Sequence, residues 1–168
     1  MIALACDHGG FELMKSVKSF LDSAGYIYKD FGTLTGESCD YPEMGVLGAH
    51  AITSGECDRG IFICGTGIGI SMAANKVPGI RAAVCTDLFM AEMSRLHNDA
   101  NVLALGGRVT GAELACDIVD VFLNTGFDAG GRHSRRVQML IDLDEKEERC
   151  SGAGAREITG EAKRSSQQ

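Results

Sequence analysis

The sequence predicts an α/β protein with a three-layer α/β/α, Rossmann-like fold around a five-stranded parallel sheet. Short apolar runs alternate with longer amphipathic runs along the chain, which is typical of repeated strand–helix units. The 168 residues, 45% of them hydrophobic and only 2 of them proline, suffice for one domain with a sizeable core. We expect that domain over residues 1–150 and a flexible tail over residues 151–168, where Ile158 is the single branched apolar residue.

The individual elements follow from apolar periodicity and from the residues that end each run. The predicted strands are Ile2–Ala5, Tyr26–Phe31, Arg59–Cys64, Ile80–Cys85 and Val102–Leu105. The predicted helices are Glu12–Ala24, Tyr41–Ser54, a segment from the glycine turn after Cys64 to about Lys76, a segment from Asp87 to Leu96, Gly111–Thr125 and Ser134–Glu148. Gly25 is placed to end the first helix and Asp87 to cap the fourth.

Charge and cysteine content restrict the class of protein. A net charge of -7 argues against an extended nucleic-acid surface, although a few placed basic residues could still hold a small anion. The 7 cysteines form no C-x-x-C pair, which argues against a zinc site and a disulfide framework and favours reduced thiols. The N-terminus has neither a basic region nor a long apolar segment, so we expect a cytoplasmic protein without a membrane span.

The segment around Cys64 is the most informative part of the chain. Cys64 ends an apolar run and is followed at once by Gly65, Gly67 and Gly69, which permit a tight turn. Amide hydrogens in such a turn, where the next helix begins, can converge on an oxyanion or a phosphate. The same helix N-terminus favours the thiolate of a neighbouring cysteine, so Cys64 is a candidate base. Taken alone, Cys64 could equally be a small apolar residue of the core.

Reactive side chains also follow other predicted strands, where ligands bind in an open parallel sheet. The segments concerned are Cys6-Asp7-His8, Cys85-Thr86-Asp87, Gly106-Gly107-Arg108 and, at a helix end just before the fifth strand, His97-Asn98-Asp99. Singly, each has a structural explanation, such as capping of the first helix by Asp7. Together they predict a carboxylate, two imidazoles, a thiol and an arginine at or close to one edge of the sheet.

A basic cluster lies near the C-terminus, in Gly130-Gly131-Arg132-His133-Ser134-Arg135-Arg136. Arg132 and Arg136 are four residues apart and share a face if the last helix begins this early. Guanidinium groups match phosphate geometry, which makes phosphate the predicted ligand group. The alternative is a loop-to-helix junction with solvated charges.

Seven motifs, in this order, resemble the type B ribose-5-phosphate isomerases within the wider ribose/galactose sugar-phosphate isomerase family. They are Cys6-Asp7-His8-Gly9-Gly10, Asp40-Tyr41-Pro42, Cys64-Gly65-Thr66-Gly67-Ile68-Gly69, Ser94-Arg95-Leu96-His97-Asn98, Asn101-Val102-Leu103, Gly107-Arg108-Val109 and Gly130-Gly131-Arg132-His133. The resemblance covers roughly Met1 to Leu143.

This resemblance implies interconversion of ribose 5-phosphate and ribulose 5-phosphate through a cis-enediolate, without metal or organic cofactor. Cys64 is implied to carry the proton between C2 and C1. His97 is implied to open the furanose ring, with Asp7 helping to move protons between the oxygens. The groups implied to stabilise the enediolate are the amides of Gly65, Thr66, Gly67, Ile68 and Gly69 and the Thr66 hydroxyl.

The resemblance also implies substrate contacts and an assembly. The residues implied to bind the substrate are His8, Arg132 and Arg136 at the phosphate, Asn98, Arg108 and His133 as further ligand contacts, and Tyr41 along the pocket wall. Family members are dimers whose sites draw residues from both subunits, so we expect a homodimer or a dimer of dimers. The sequence leaves open whether the sugar has five carbons or six, as in allose or galactose 6-phosphate.

Three other classes of function compete with this interpretation. A dinucleotide-binding module would use Gly65-Thr66-Gly67 with Asp87, but the sixth position of the fingerprint is Ile70 instead of glycine. A non-catalytic sugar-phosphate sensor would have no need of Cys64 or His97. A thiol-redox protein would be expected to carry a C-x-x-C pair.

Overall fold

Five parallel strands form one sheet in the order β2-β1-β3-β5-β4 in a computed structural model, which describes residues 1–146. The strands are β1 (Ile2–Cys6), β2 (Tyr28–Asp30), β3 (Arg59–Cys64), β4 (Ala82–Val84) and β5 (Val102–Gly106). Each neighbouring pair is parallel, so the carboxyl ends of all the strands lie at one edge of the sheet. The predicted α/β fold class is confirmed.

Helices cover both faces of this sheet. They are α1 (Phe11–Ser23), α2 (Tyr41–Thr53), α3 (Ile68–Ala74), α4 (Leu88–Asn98), α5 (Ala112–Asn124) and α6, whose described part covers residues 131–146. The predicted tail over residues 151–168 and the last two residues of the predicted final helix lie outside the described residues.

Local hydrogen bonds explain where the predicted bounds are wrong. The amide of Tyr26 donates to the Leu21 carbonyl and closes the end of α1, so β2 begins later than the apolar run. The Arg81 amide donates to the Asn101 side-chain oxygen (2.8 Å), and β4 begins only at Ala82. At α4 the prediction holds, because the Asp87 carboxylate accepts from the Met90 amide as a helix cap.

The alternation of side chains along the buried strands separates two apolar layers. Ile61 and Ile63 of β3 pack with α1, α4 and α5, whereas Phe62 and Cys64 pack with α2 and α3. Strands β1 and β3 are neighbours, yet β1 leads to α1 on one face and β3 leads to α3 on the other. Such a reversal opens a crevice at the carboxyl edge, and Cys64 lies at it.

No helix within residues 1–146 has the length and apolar character required to cross a bilayer.

Candidate active site

The loops that follow β1, β3 and β5 are joined by backbone hydrogen bonds around Cys64. The Gly107 amide donates to the Cys64 carbonyl (2.8 Å), and the Arg108 amide donates to the Gly65 carbonyl (3.0 Å). On the other side, the Asp7 amide donates to the Ile63 carbonyl (3.3 Å). The three loops therefore form one rigid rim at the carboxyl edge.

Two glycines make this close approach possible. A Cβ on Gly107 would lie 2.4 Å from the Gly9 carbonyl oxygen, which is far inside contact distance. Gly67 has φ +78°, and a Cβ there would lie 2.9 Å from the Leu105 carbonyl carbon. Larger residues at either position would push the loops apart and displace Cys64.

The Cys64 sulfur lies inside the turn that these glycines allow. The side chain is almost fully buried, with 4% of its surface exposed, and the Gly67 amide donates to its Sγ atom at 3.2 Å. The Gly67 amide thus faces the Cys64 sulfur, which carries a negative charge when Cys64 acts as a base. The turn thus supplies a hydrogen bond suited to a thiolate.

Four other cysteines of the described chain lie in surroundings that favour the neutral thiol. Burial, followed by the charge of Asp30, raises the pKa of Cys6 to about 12, and burial raises the pKa of Cys85 to about 11. The pKa values of Cys57 and Cys116 are also raised, again mainly by burial. These four thiols stay protonated near neutral pH and are unsuitable as bases.

Asp7 and His8 flank the thiol from the β1 loop. Asp7 is buried, with 5% exposed, and its Oδ1 atom accepts from the Gly10 amide at 3.1 Å. This bond braces the turn that leads into α1, but the N-cap of α1 is Gly10 and it has no side-chain cap bond, so the predicted capping of the helix by Asp7 is wrong. The Nδ1 atom of His8 accepts a hydrogen bond from the Cys39 amide (3.3 Å). The ring hydrogen is therefore on Nε2, which points away from that bond.

The remaining residues predicted at this edge line the glycine turn. The Tyr41 ring lies over Gly69, where a Cβ would be 2.7 Å from its Cζ atom. The Arg108 side chain lies against Gly65, with its Cδ atom 3.6 Å from the position of a Cβ on that glycine. Thr66 is exposed, and its hydroxyl oxygen accepts from the Ile68 amide at 3.4 Å, which leaves the hydroxyl hydrogen free to donate.

The prediction that every reactive group lies at one edge is wrong for His97 and Asn98. They form the last turn of α4, and a helix that follows a parallel strand returns to the amino edge of the sheet. Asp99, the next residue, is bonded to Arg81, which directly precedes β4. β5 begins at this amino edge with Val102 and ends with Gly106, which pairs with Cys64 at the carboxyl edge. The two edges are therefore about 13 Å apart at the usual rise per residue of a strand.

The basic cluster joins His97 at this amino edge. α6 begins at residue 131, three residues earlier than predicted, so Arg132 and Arg136 both lie in it at a spacing that shares a face. The His133 ring stacks on the His97 ring, with 4.2 Å between centroids and 3° between planes. Within one chain, the predicted site is therefore divided into two halves. The thiol half, at the carboxyl edge, contains Cys64, Asp7, His8, Thr66, Tyr41 and Arg108. The imidazole half, at the amino edge, contains His97, Asn98, Arg132, His133 and Arg136.

Sequence reasoning missed the residues that fix the end of α4. Asp99 has a left-handed backbone (φ 46°), and its two carboxylate oxygens bind Arg95 at 2.8 Å and Arg81 at 3.0 Å. Arg95 also donates to the Ala100 carbonyl. The four-residue spacing of Arg95 and Asp99 could have signalled their pair, but the contact with Arg81 depends on the fold.

No group of His, Cys, Asp and Glu side chains within residues 1–146 is arranged to hold a metal ion. What the carboxyl edge does present is a buried thiol with a donor on its sulfur, a buried carboxylate and an imidazole. These are the groups with which an α/β enzyme moves protons by acid–base chemistry, and they indicate an enzyme of that class.

Comparison with known proteins narrows this class. Residues 2–140 match the model of the Ribose/Galactose Isomerase family. The chain is 48% identical over 145 residues to the ribose-5-phosphate isomerase B of Escherichia coli K12, covering 86% of this chain and 97% of the relative. It is 43% identical over 131 residues to the D-erythrulose-4-phosphate isomerase of Pectobacterium atrosepticum, covering 77% and 86%.

Solved structures agree with the sequence comparisons. The structure of Clostridium thermocellum ribose-5-phosphate isomerase B superposes with a TM-score of 0.85 at 57% identity, covering 87% of this chain and 98% of that one. The chain belongs to the ribose/galactose isomerase family. It is a sugar-phosphate isomerase, an intramolecular oxidoreductase, as the resemblance of its motifs predicted.

Proposed function

We propose that this isomerase interconverts ribose 5-phosphate and ribulose 5-phosphate through a cis-enediolate. The observation that carries the proposal is Cys64, a buried thiol whose Sγ atom accepts from the Gly67 amide inside the glycine turn. Aldose–ketose isomerisation requires one base that can reach two adjacent carbons, and a single sulfur can serve both. The names of the Escherichia coli and Clostridium thermocellum proteins support the five-carbon substrate.

The proton transfers balance with Cys64 as the only base at carbon. The thiolate takes the proton from C2 of the open-chain aldose, the C2–H electron pair forms the C1–C2 double bond, and the O1 carbonyl becomes an enediolate oxygen. The Cys64 S–H then returns the proton to C1, while the proton of the O2 hydroxyl moves to O1. Asp7, at the neighbouring strand end, is the group we assign to transfer between the oxygens.

The negative charge on the enediolate oxygens must be stabilised by hydrogen-bond donors at the carboxyl edge of the sheet. Thr66 is exposed beside Cys64 and has a hydroxyl hydrogen to donate, and we assign the other donors to amides of the Gly65–Gly69 turn, of which the Gly67 and Ile68 amides are bonded to Cys64 and Thr66 in this structure. Tyr41 over Gly69 closes one side of this pocket.

Ring opening precedes this step, because ribose 5-phosphate is mainly a closed furanose. We assign it to His97, which takes the proton of the O1 hydroxyl while the ring oxygen gains one. An imidazole suits this exchange because it can both accept and donate a proton near neutral pH.

The division of the site into two halves supports a homodimer, or a dimer of dimers, with shared active sites. In such an assembly, the thiol half of one subunit would face His97, Asn98 and the arginines of its partner. Exposed apolar side chains suit this contact, among them Ile68 (51%) and Met72 (63%) of α3, next to the glycine turn. A cytoplasmic location and the absence of nucleic-acid or membrane partners stay predictions.

Phosphate binding gives a test with an internal control. Arg136→Ala should raise KM for ribose 5-phosphate about tenfold or more while kcat changes little, because a charge-assisted bond to phosphate is lost. Steady-state kinetics measure both constants. Arg135→Ala removes the neighbouring exposed charge and should leave KM unchanged. Equal effects of the two substitutions on KM would show that binding depends on the total positive charge of this helix and not on a contact between Arg136 and the phosphate.

The choice of sugar is tested by comparing purified protein on ribose 5-phosphate, allose 6-phosphate and galactose 6-phosphate, with Cys64→Ala as the blank. We expect the highest kcat/KM for ribose 5-phosphate. A six-carbon substrate is the second candidate, because the family is named for galactose as well as ribose, and one relative is named as a galactose-6-phosphate isomerase subunit. A higher kcat/KM on either six-carbon phosphate would replace the proposed substrate.

A further inference from the structure

We infer that His133 is a positioning residue that holds the His97 imidazole in the plane needed for ring opening. The inference rests on the role proposed for His97. Its structural basis is the near-parallel stack of the two rings, 4.2 Å between centroids and 3° between planes. The stack joins two elements distant in sequence, the last turn of α4 and the first turn of α6.

His133 has the burial and the fixed hydrogen bond that a positioning group needs. Only 8% of its surface is exposed, whereas Arg132 and Arg136 on the same helix are exposed. The Nε atom of Arg132 donates to Nε2 of His133 at 3.3 Å. Arginine has no acceptor, so Nε2 of His133 carries the lone pair and the ring is neutral with its hydrogen on Nδ1.

A neutral ring at this place has a chemical consequence for His97. When His97 takes up a proton during ring opening, its imidazolium lies against an uncharged aromatic face, which attracts a cation. A protonated His133 would repel it.

The charged groups around His133 are Arg132 and Arg136 of α6, Asp128 of the preceding loop and His97 of α4. Desolvation, then the charges of His97 and Arg132, lower the pKa of His133 below its ordinary value.

This role differs from the substrate contact that the family resemblance implied for His133. One ring nitrogen is bonded to Arg132 and one ring face is covered by His97. The loop before α6 is itself tied to α4, because the Asp128 amide donates to the Leu96 carbonyl at 3.0 Å. His133 is thus built into the support of His97, and the exposed arginines remain for the phosphate.

The test compares aromatic and non-aromatic substitutions. His133→Phe keeps a flat ring for the stack, whereas His133→Ala and His133→Gln remove it. We expect kcat on ribose 5-phosphate to fall about tenfold in the Ala and Gln variants with KM nearly unchanged, because a misplaced catalytic group slows the step it performs. The Phe variant should stay within about threefold of the wild type. Thermal denaturation of each variant checks that it folds.

A second readout isolates ring opening from the chemistry at carbon. Ribulose 5-phosphate has no furanose form, so exchange of its C1 proton in deuterium oxide reports the Cys64 step alone. We expect the His133 variants to keep wild-type exchange. A raised KM with unchanged kcat would make His133 a substrate contact, and equal losses in the Phe and Ala variants would show that the stack is irrelevant; either overturns the inference.

His97→Ala, measured in parallel, separates the ring-opening role proposed for His97 from the positioning role inferred for His133. If His97→Ala is impaired on ribose 5-phosphate and His133→Ala is not, the positioning role alone is wrong. If His97→Ala keeps full activity on ribose 5-phosphate, the proposed ring-opening role fails, and the inference about His133 fails with it.

Discussion

Cys64→Ala is expected to lower kcat for ribose 5-phosphate by about 10³-fold, because it removes the only base proposed to act at carbon. Binding should persist, since the phosphate contacts are made elsewhere. Isothermal titration with ribose 5-phosphate should therefore give a Kd near that of the wild type. The C1 proton of ribulose 5-phosphate should also stop exchanging with deuterium oxide, because the same sulfur removes it.

Cys116→Ala is the matched control. Cys116 lies on α5, where its thiol donates to the Ser16 carbonyl of α1, outside the loops that follow β1, β3 and β5. This variant should keep wild-type turnover. Substantial isomerisation by Cys64→Ala, after its folding has been checked by thermal denaturation, would remove the sulfur from the mechanism.

His97→Ala should lower kcat on ribose 5-phosphate by about 10²-fold, the usual size of a lost acid–base group. The same variant should exchange the C1 proton of ribulose 5-phosphate almost normally, because that open-chain sugar bypasses ring opening. The contrast between the two assays distinguishes His97 from Cys64, whose loss should abolish both.

His50→Ala supplies the control for His97, because His50 is an exposed residue in the last turn of α2. It should behave as the wild type in both assays. If His97→Ala lost isomerisation and exchange to the same extent, His97 would belong to the proton transfer at carbon or to the fold, and the ring-opening role would be abandoned.

Periodicity predicted the fold well because buried strands and amphipathic helices leave local signals. The bounds of β3 were predicted without error, and the Asp87 cap was found from its position before an apolar run. The bounds of β2 and β4 were less accurate. There the limits depend on bonds such as that from the Arg81 amide to the Asn101 side chain, which only the folded chain brings together.

The sequence supplied candidate site residues, which stay predictions, but it did not supply their arrangement. His97 precedes β5 in sequence, and proximity to a strand in sequence does not say which end of the strand a residue lies near. The direction of α4 places His97 at the amino end, since the helix ends where β5 begins. The Arg81–Asp99 ion pair and the stack of His133 on His97 were missed for a related reason: each joins residues whose separation in sequence carries no local signal.

The central claim is that a working site combines the thiol half of one subunit with the imidazole half of its partner. Co-expression of Cys64→Ala and His97→Ala chains with two different affinity tags yields a heterodimer that can be purified through both. We predict about half of the wild-type activity, because one of the two symmetric sites then contains an intact Cys64 and an intact His97. Activity no higher than that of the two parent variants would place both residues in the same subunit's site and contradict the account.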